Sequence, residues 1–178
     1  MRVLLWLPLL VGCVKNTQVE QAAQPTPVAL ATVLESTESA GLQPIPEAVD
    51  DRFSEELSRR NLVPSVLDST EGLQGVGTTE ARVAWLAESV DGARAVLLVE
   101  TEARFSTQVN GRYRWNITGN ISLVPQGPEQ PLSSELSIPI ALVYDHQGEE
   151  DALAEAAPLV ARRVGALLDA WLSEDAPR

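Results

Sequence analysis

The chain predicts an α/β fold of a single domain, ordered β-α-β-α-β-β-β-α: a mixed sheet with helices on one face and a long β-hairpin. Two patterns carry this. Apolar residues recur at helical spacing in three separated segments, the mark of amphipathic helices. Between them lie short β-branched runs and one long stretch of apolar/polar alternation, the period of a half-buried strand. A sheet with one apolar face needs helices over that face, so the two patterns support each other.

The elements follow in order. Val28 to Leu34 is a short, partly β-branched apolar run and reads as a buried strand. Pro46 suits the first turn of a helix; Val49, Phe53 and Leu57 follow at four-residue spacing. Arg59 and Arg60 suit the negative end of that helix, and Asn61 its cap. Leu62 to Leu67 is a second strand, which Pro64 places near an edge or a bulge because proline cannot donate to a ladder. Gly72, Gly75 and Gly77 mark a loop. Thr78 or Thr79 caps a helix with the stripe Val83, Leu86, Ala87 and Val90, ended by Asp91-Gly92. Ala95 to Val99 is apolar on both faces, as a central strand requires.

The hairpin is the best-patterned part. Val99, Thr101, Ala103, Phe105, Thr107 and Val109 alternate with polar residues, and so do Tyr113, Trp115, Ile117, Gly119, Ile121 and Leu123. Asn110-Gly111 alone favours a two-residue turn. That turn pairs Val109 with Arg112 and Thr107 with Arg114, mixing apolar and charged groups on each face. A shift of one residue moves every side chain to the other face. Pairing Val109 with Tyr113, and Phe105 with Ile117, keeps the apolar residues together and predicts a three-residue loop, Asn110 to Arg112, with a bulge. Pro125 to Pro131 then breaks the sheet. Leu136, Ile138, Ile140, Leu142 and Tyr144 form another alternating strand, confined to an edge by Pro139. A last helix starts near Glu149-Glu150-Asp151 and carries Leu153, Ala157, Val160, Val164, Leu167, Leu168 and Trp171. Pro158 kinks it or marks its true first turn. Ser173 to Arg178 reads as a frayed tail.

The N-terminus has a separate character. Arg2 precedes an apolar core, Val3 to Val11, of signal-peptide length. That core is too short for a membrane span, which needs about 20 residues. The run Leu10-Val11-Gly12-Cys13 resembles the lipobox of bacterial lipoprotein precursors. The resemblance implies that Leu10, Val11 and Gly12 are read by a signal peptidase. Cleavage then falls before Cys13, and both the thiol and the new amino terminus are acylated. Several acyl chains anchor a protein stably where one does not. Position 14 is valine rather than aspartate, which favours the outer membrane, facing the periplasm. Residues 1–12 are then a signal peptide, 13–27 the lipidated cysteine and a polar tether, 28–172 the domain, and 173–178 the tail.

Composition narrows the function. The chain has 13 basic and 25 acidic residues, a net charge of −12. Removing residues 1–12 takes away one basic residue, Arg2, and leaves −13. Such a chain lacks the clustered basic residues that nucleic acid demands, and the lipid must do the anchoring. Cys13 is the only cysteine, and lipidation consumes its thiol. His146, the only histidine, has acidic neighbours in sequence that read as a solvated loop and a helix start rather than as a metal site. No nucleophile elbow and no phosphate-cradling glycine motif occurs. The expectation is a non-enzymatic protein with no cofactor and no metal.

Three stretches carry a further resemblance: Glu56 to Pro64, the helix-to-strand passage Ala81 to Val99 with Asp91-Gly92-Ala93-Arg94-Ala95-Val96-Leu97, and the hairpin that follows. Together they resemble a group of bacterial envelope domains that includes the N-terminal domain of TolB, FlgO, LpoB and CsgG. The resemblance covers most of Val28 to Leu172, although the first strand lacks the "Val-Leu-Pro-Phe" start frequent in that group. It implies an envelope lipoprotein that binds a protein partner or joins an assembly. Candidate contacts lie on the polar hairpin face: Arg104, Gln108, Arg112, Arg114 and Asn116. An oligomeric outer-membrane pore resembling CsgG is the alternative, because each hairpin arm has the length and dyad pattern of a spanning strand. A carboxylate-only hydrolase of envelope polymers is the third.

Overall fold

In a computed structural model, which describes residues 25–37, 41–68, 70–139, 143–144 and 146–174, the described strands join one mixed sheet. They are β1 (Thr26–Ser36), β2 (Gly41–Gln43), β3 (Leu62–Leu67), β4 (Ala95–Val109), β5 (Arg112–Pro125), β6 (Leu132–Pro139) and β7 (Val143–Tyr144). Helices α1 (Glu47–Ser58), α2 (Thr70–Leu73), α3 (Thr79–Ser89) and α4 (Glu149–Glu174) pack on it. β1 runs parallel to β3 on one side and to β4 on the other, while β4, β5 and β6 are antiparallel neighbours. The α/β class and the order of the longer elements are as the sequence predicts; the short strand β2 is an addition.

β1 and the first half of β4 are buried on both faces, because both faces are covered. On one, Val49, Phe53 and Leu57 of α1 and the apolar stripe of α4 pack against Leu30, Leu97, Ile117 and Ile121. On the other, Leu73 and Leu86 of α2 and α3 cover Ala29, Ala31, Val96 and Leu98. The helices are therefore distributed more widely than one face. The chain steps outward from β1 to β3 and then back across β1 to β4. Right-handed crossovers in opposite directions place their helices on opposite faces.

Several local expectations shift at their edges. Thr26 and Pro27, assigned to the tether, already pair with β3 as the start of β1. A turn of helix, α2, forms where glycines suggested only a loop. β3 carries Pro64 at an edge, as its missing N–H requires. Pro158 lies inside α4 and does not start it. That helix runs through Ser173 to Glu174; 175–178, Ile140 and Leu142 lie outside the described residues.

α1 and α4 are also clamped by charge. Arg60 donates to both carboxylate oxygens of Asp169, at 2.7 and 2.9 Å, and to Glu56 Oε2 at 2.7 Å. The Arg60 hydrogen bonds hold the Asp169 carboxyl below its ordinary value. Gly165 gives this guanidinium room, since a Cβ there would lie 2.7 Å from Arg60 Nη2.

The hairpin corrects the sequence reading. The turn is the two-residue Asn110-Gly111, with both residues at positive φ (51° and 76°), and Val109 pairs with Arg112. The extra residue lies within β4: the register shifts between Phe105 and Thr107, so Ser106 is a bulge. Beyond it Phe105 pairs with Trp115, Ala103 with Ile117 and Val99 with Ile121. The one-residue shift demanded by the apolar pattern is real, but it sits where the strands enter the core. Past that point every β4 side chain is exposed, so mixed pairs such as Val109 with Arg112 carry no burial cost.

Candidate functional site

Two surfaces concentrate chemistry. The first is the hairpin end, where every residue from Arg104 to Arg112 is exposed. Segment 104–116 holds three arginines and no acidic residue in a chain of net charge −12. Cross-strand partners share a face. Arg104 pairs with Asn116, Thr107 with Arg114, and Val109 with Arg112, so Arg104, Arg112, Arg114 and Asn116 lie together. Gln108 does not: the bulge puts it opposite Tyr113, on the other face. Arg104 Nε donates to Glu102 Oε1 at 2.6 Å, which raises the guanidinium pKa further. The Arg112 guanidinium lies 5.0 Å above the Tyr144 ring, a cation–π distance, and Tyr144 stacks on His146. On the opposite face Phe105 meets Tyr113 and Trp115 edge-on, with centroids 5.1 and 5.8 Å apart. Phe105 remains 51% exposed and Tyr144 56%.

The second surface is a cleft beneath α3. Thr78 Oγ1 accepts from the Ala81 N–H and fixes the start of this helix. Arg82, one turn in, reaches the sheet and donates to Glu100 Oε1 at 2.7 Å and to the Val76 carbonyl at 2.8 Å. Both members of the ion pair are largely buried, with side chains 13% and 10% exposed. Glu100 faces Asn120 across the ladder, and in the next row Glu35, Glu102 and Thr118 align over three strands. These residues line a cavity of about 160 Å³. Glu100 Oε2 and Asn120 Oδ1 are buried and have no hydrogen-bond partner among the described residues.

Sequence reasoning missed this cleft. The alternation places Glu100 and Asn120 on the polar face, which reads as solvated until α3 is laid over it. One signal was present: Arg82 stands four residues before Leu86, and so on the edge of the apolar stripe.

His146 stands on the hairpin surface, and among the described residues no group of three or more His, Cys, Asp or Glu side chains could hold a metal ion. Among them, too, no helix is long and apolar enough to cross a membrane. Leu10, Val11, Gly12 and Cys13 lie outside the described residues.

No family model matches the chain, and no curated protein does. Among solved structures, lipoprotein GNA1162 from Neisseria meningitidis is 16% identical, covering 80% of this chain and 99% of that one, with a TM-score of 0.41. A PelC dodecamer from Paraburkholderia phytofirmans is 13% identical over 81% and 85%, with a TM-score of 0.38. A minor lipoprotein from Acinetobacter baumannii is 10% identical over 80% and 92%, with a TM-score of 0.37. Likeness at this level carries no statement of function.

Proposed function

We propose that this is a lipid-anchored domain of the bacterial cell envelope that binds a protein partner and catalyses no reaction. In this reading the precursor is cut before Cys13, acylated there, and held at the outer membrane facing the periplasm. The lipobox-like run at the end of an apolar core supports the anchor. The single observation behind the partner is the charge segregation at the hairpin end: three arginines, no acid, and exposed aromatic rings on an otherwise acidic chain. Arginine and aromatic residues are the side chains that anchor interfaces. The partner they suit is an acidic protein surface, steered in by complementary charge.

The pore alternative is weaker on length. A spanning strand needs about 9–11 residues, whereas the exposed part of the first arm runs only from Arg104 to Val109, and in the second only Arg112 and Arg114 are exposed, around the half-buried Tyr113. The inner halves of both arms are buried beneath α4. The hydrolase alternative asks for a general acid facing a second carboxylate. Glu100 and Glu102 in the cleft are each already bound to an arginine.

The test is crosslinking in membranes followed by purification of the wild type, Cys13→Ala, and the double variant Arg112→Glu/Arg114→Glu. We expect both variants to lose the partner, the second while still membrane-bound. Retention of the same crosslinked protein by the charge-reversed hairpin would refute the interface. Mass spectrometry finding an intact Met1 or an unmodified Cys13 would refute the anchor.

A further inference from the structure

The cleft under α3 contains more acceptors than the protein satisfies. Glu100 is 7% exposed. One of its oxygens is held by Arg82, and the other has no partner among the described residues. Asn120 Oδ1, across the ladder, is in the same condition. Buried oxygens of this kind are almost always hydrogen-bonded in native proteins. A group that completes them must donate, because neither oxygen can. It must also suit the charge of the lining, where Arg82 holds Glu100 and Arg104 holds Glu102, and Glu35 adds a third carboxylate.

The neighbouring surface says what such a donor is attached to. A second cavity, of about 320 Å³, shares Thr79 and Asn120 with the acidic one. Its wall includes Val83, Val124, Pro131 and Leu132. An acidic pit therefore opens beside a groove between α3 and β5 that these apolar residues line together with Glu80, Ser122 and Ser133. We propose that this cleft binds a primary alkylammonium: the ammonium donates to Glu100 Oε2 and Asn120 Oδ1, and its hydrocarbon chain lies along Val83 and Leu132. A metal ion suits the site less well, since one Glu100 oxygen is already taken and the described residues offer no cluster of three ligands. The proposal rests on neither the lipid anchor nor the hairpin end.

The same chemistry occurs in a free amine and in a lysine side chain, whose stem has four carbons as a butyl group does. The experiment separates them. The full chain in mild detergent is titrated with n-butylamine, with n-butanol, and with acetyl-Gly-Lys-Gly-amide at pH 7. Amide shifts of Thr79, Gly119 and Asn120 are followed by NMR. Saturable shifts with butylamine but not butanol are expected, and Glu100→Gln should weaken binding about tenfold or more. That substitution also leaves Arg82 without its carboxylate. Glu35→Gln, on the exposed rim, keeps the buried pair intact and should weaken binding several-fold. Saturation by the peptide as well assigns the cleft to a lysine of a protein; saturation by butylamine alone assigns it to a free amine. No saturable shift with either amine, equal response to butanol, or unchanged binding in folded Glu35→Gln would overturn the proposal.

Discussion

Replacing Gly119 by alanine tests how closely β4 and β5 approach. Gly119 lies in the middle of β5, opposite Thr101 on one side and Leu136 on the other. A Cβ built there would stand 2.0 Å from the Glu100 carbonyl oxygen and 2.9 Å from its carbon. Carbon and carbonyl oxygen rest at about 3.3 Å or more. The strands must therefore part by roughly 1 Å, at the centre of the sheet, where neighbours on both sides prevent relaxation. Overpacking of this kind costs about 1–3 kcal/mol. Loss of glycine's freedom in the unfolded chain offsets about 0.4–1 kcal/mol. The steric effect wins, leaving a net loss of about 1–2 kcal/mol, which lowers Tm by about 3–8 °C in a domain of this size. Gly77→Ala is the control, since a Cβ there meets nothing within 4 Å and only the unfolded-state gain applies. Thermal and urea denaturation of the full chain in mild detergent compare the two. A Gly119→Ala protein as stable as the Gly77→Ala control would refute the close approach.

Other expectations concern the hairpin and a half-buried carboxyl. Deleting Ser106 should be tolerated, with Tm within about 2 °C, because Phe105–Trp115 and Thr107–Arg114 then become successive pairs. Loss of amide-exchange protection along both strands would show that the bulge is needed. Burial raises the Asp50 carboxyl above its ordinary 3.8, against the opposing hydrogen bond donated by Thr32 Oγ1. A raised folded value means that Asp50 favours folding fully below 3.8 and that this contribution is lost as pH rises through the folded value. Asp50→Asn keeps an acceptor for Thr32. The stability difference between wild type and Asp50→Asn, followed by urea denaturation from pH 7 to pH 4, should therefore move in favour of the wild type as pH falls. A difference that stays constant, or moves the other way, would contradict the burial of this group.

Much of the architecture was legible because it is written in local periodicity. The stripe Val49, Phe53, Leu57 became α1, and Leu153 to Trp171 became the long apolar face of α4, since helical spacing alone decides which residues share a side. Ala95 to Val99 declared itself central by being apolar at every position. The hairpin was legible in kind but not in register. Alternation demands one compensating residue somewhere between Val99 and Leu123, and either the turn or a strand can supply it. Ser106 takes that role because burial, which enforces register, ends near Phe105; the Asn110-Gly111 turn then keeps its preferred two-residue form. The consequence reaches the candidate site, since Gln108 leaves the arginine face.

The division between sequence and structure falls along the range of the interactions. By itself the sequence determined the acidic balance, the lone cysteine after an apolar core, the order of the longer elements and the patch of arginines near the turn. All of these depend on residues close together in the chain. Only the tertiary structure decided that helices cover both faces, that Arg82 meets Glu100 eighteen residues away, and that Glu100 and Asn120 become buried acceptors. Their polarity was visible from the start. Their burial was not, because it arises when a separate helix is laid over a sheet face that would otherwise be wet.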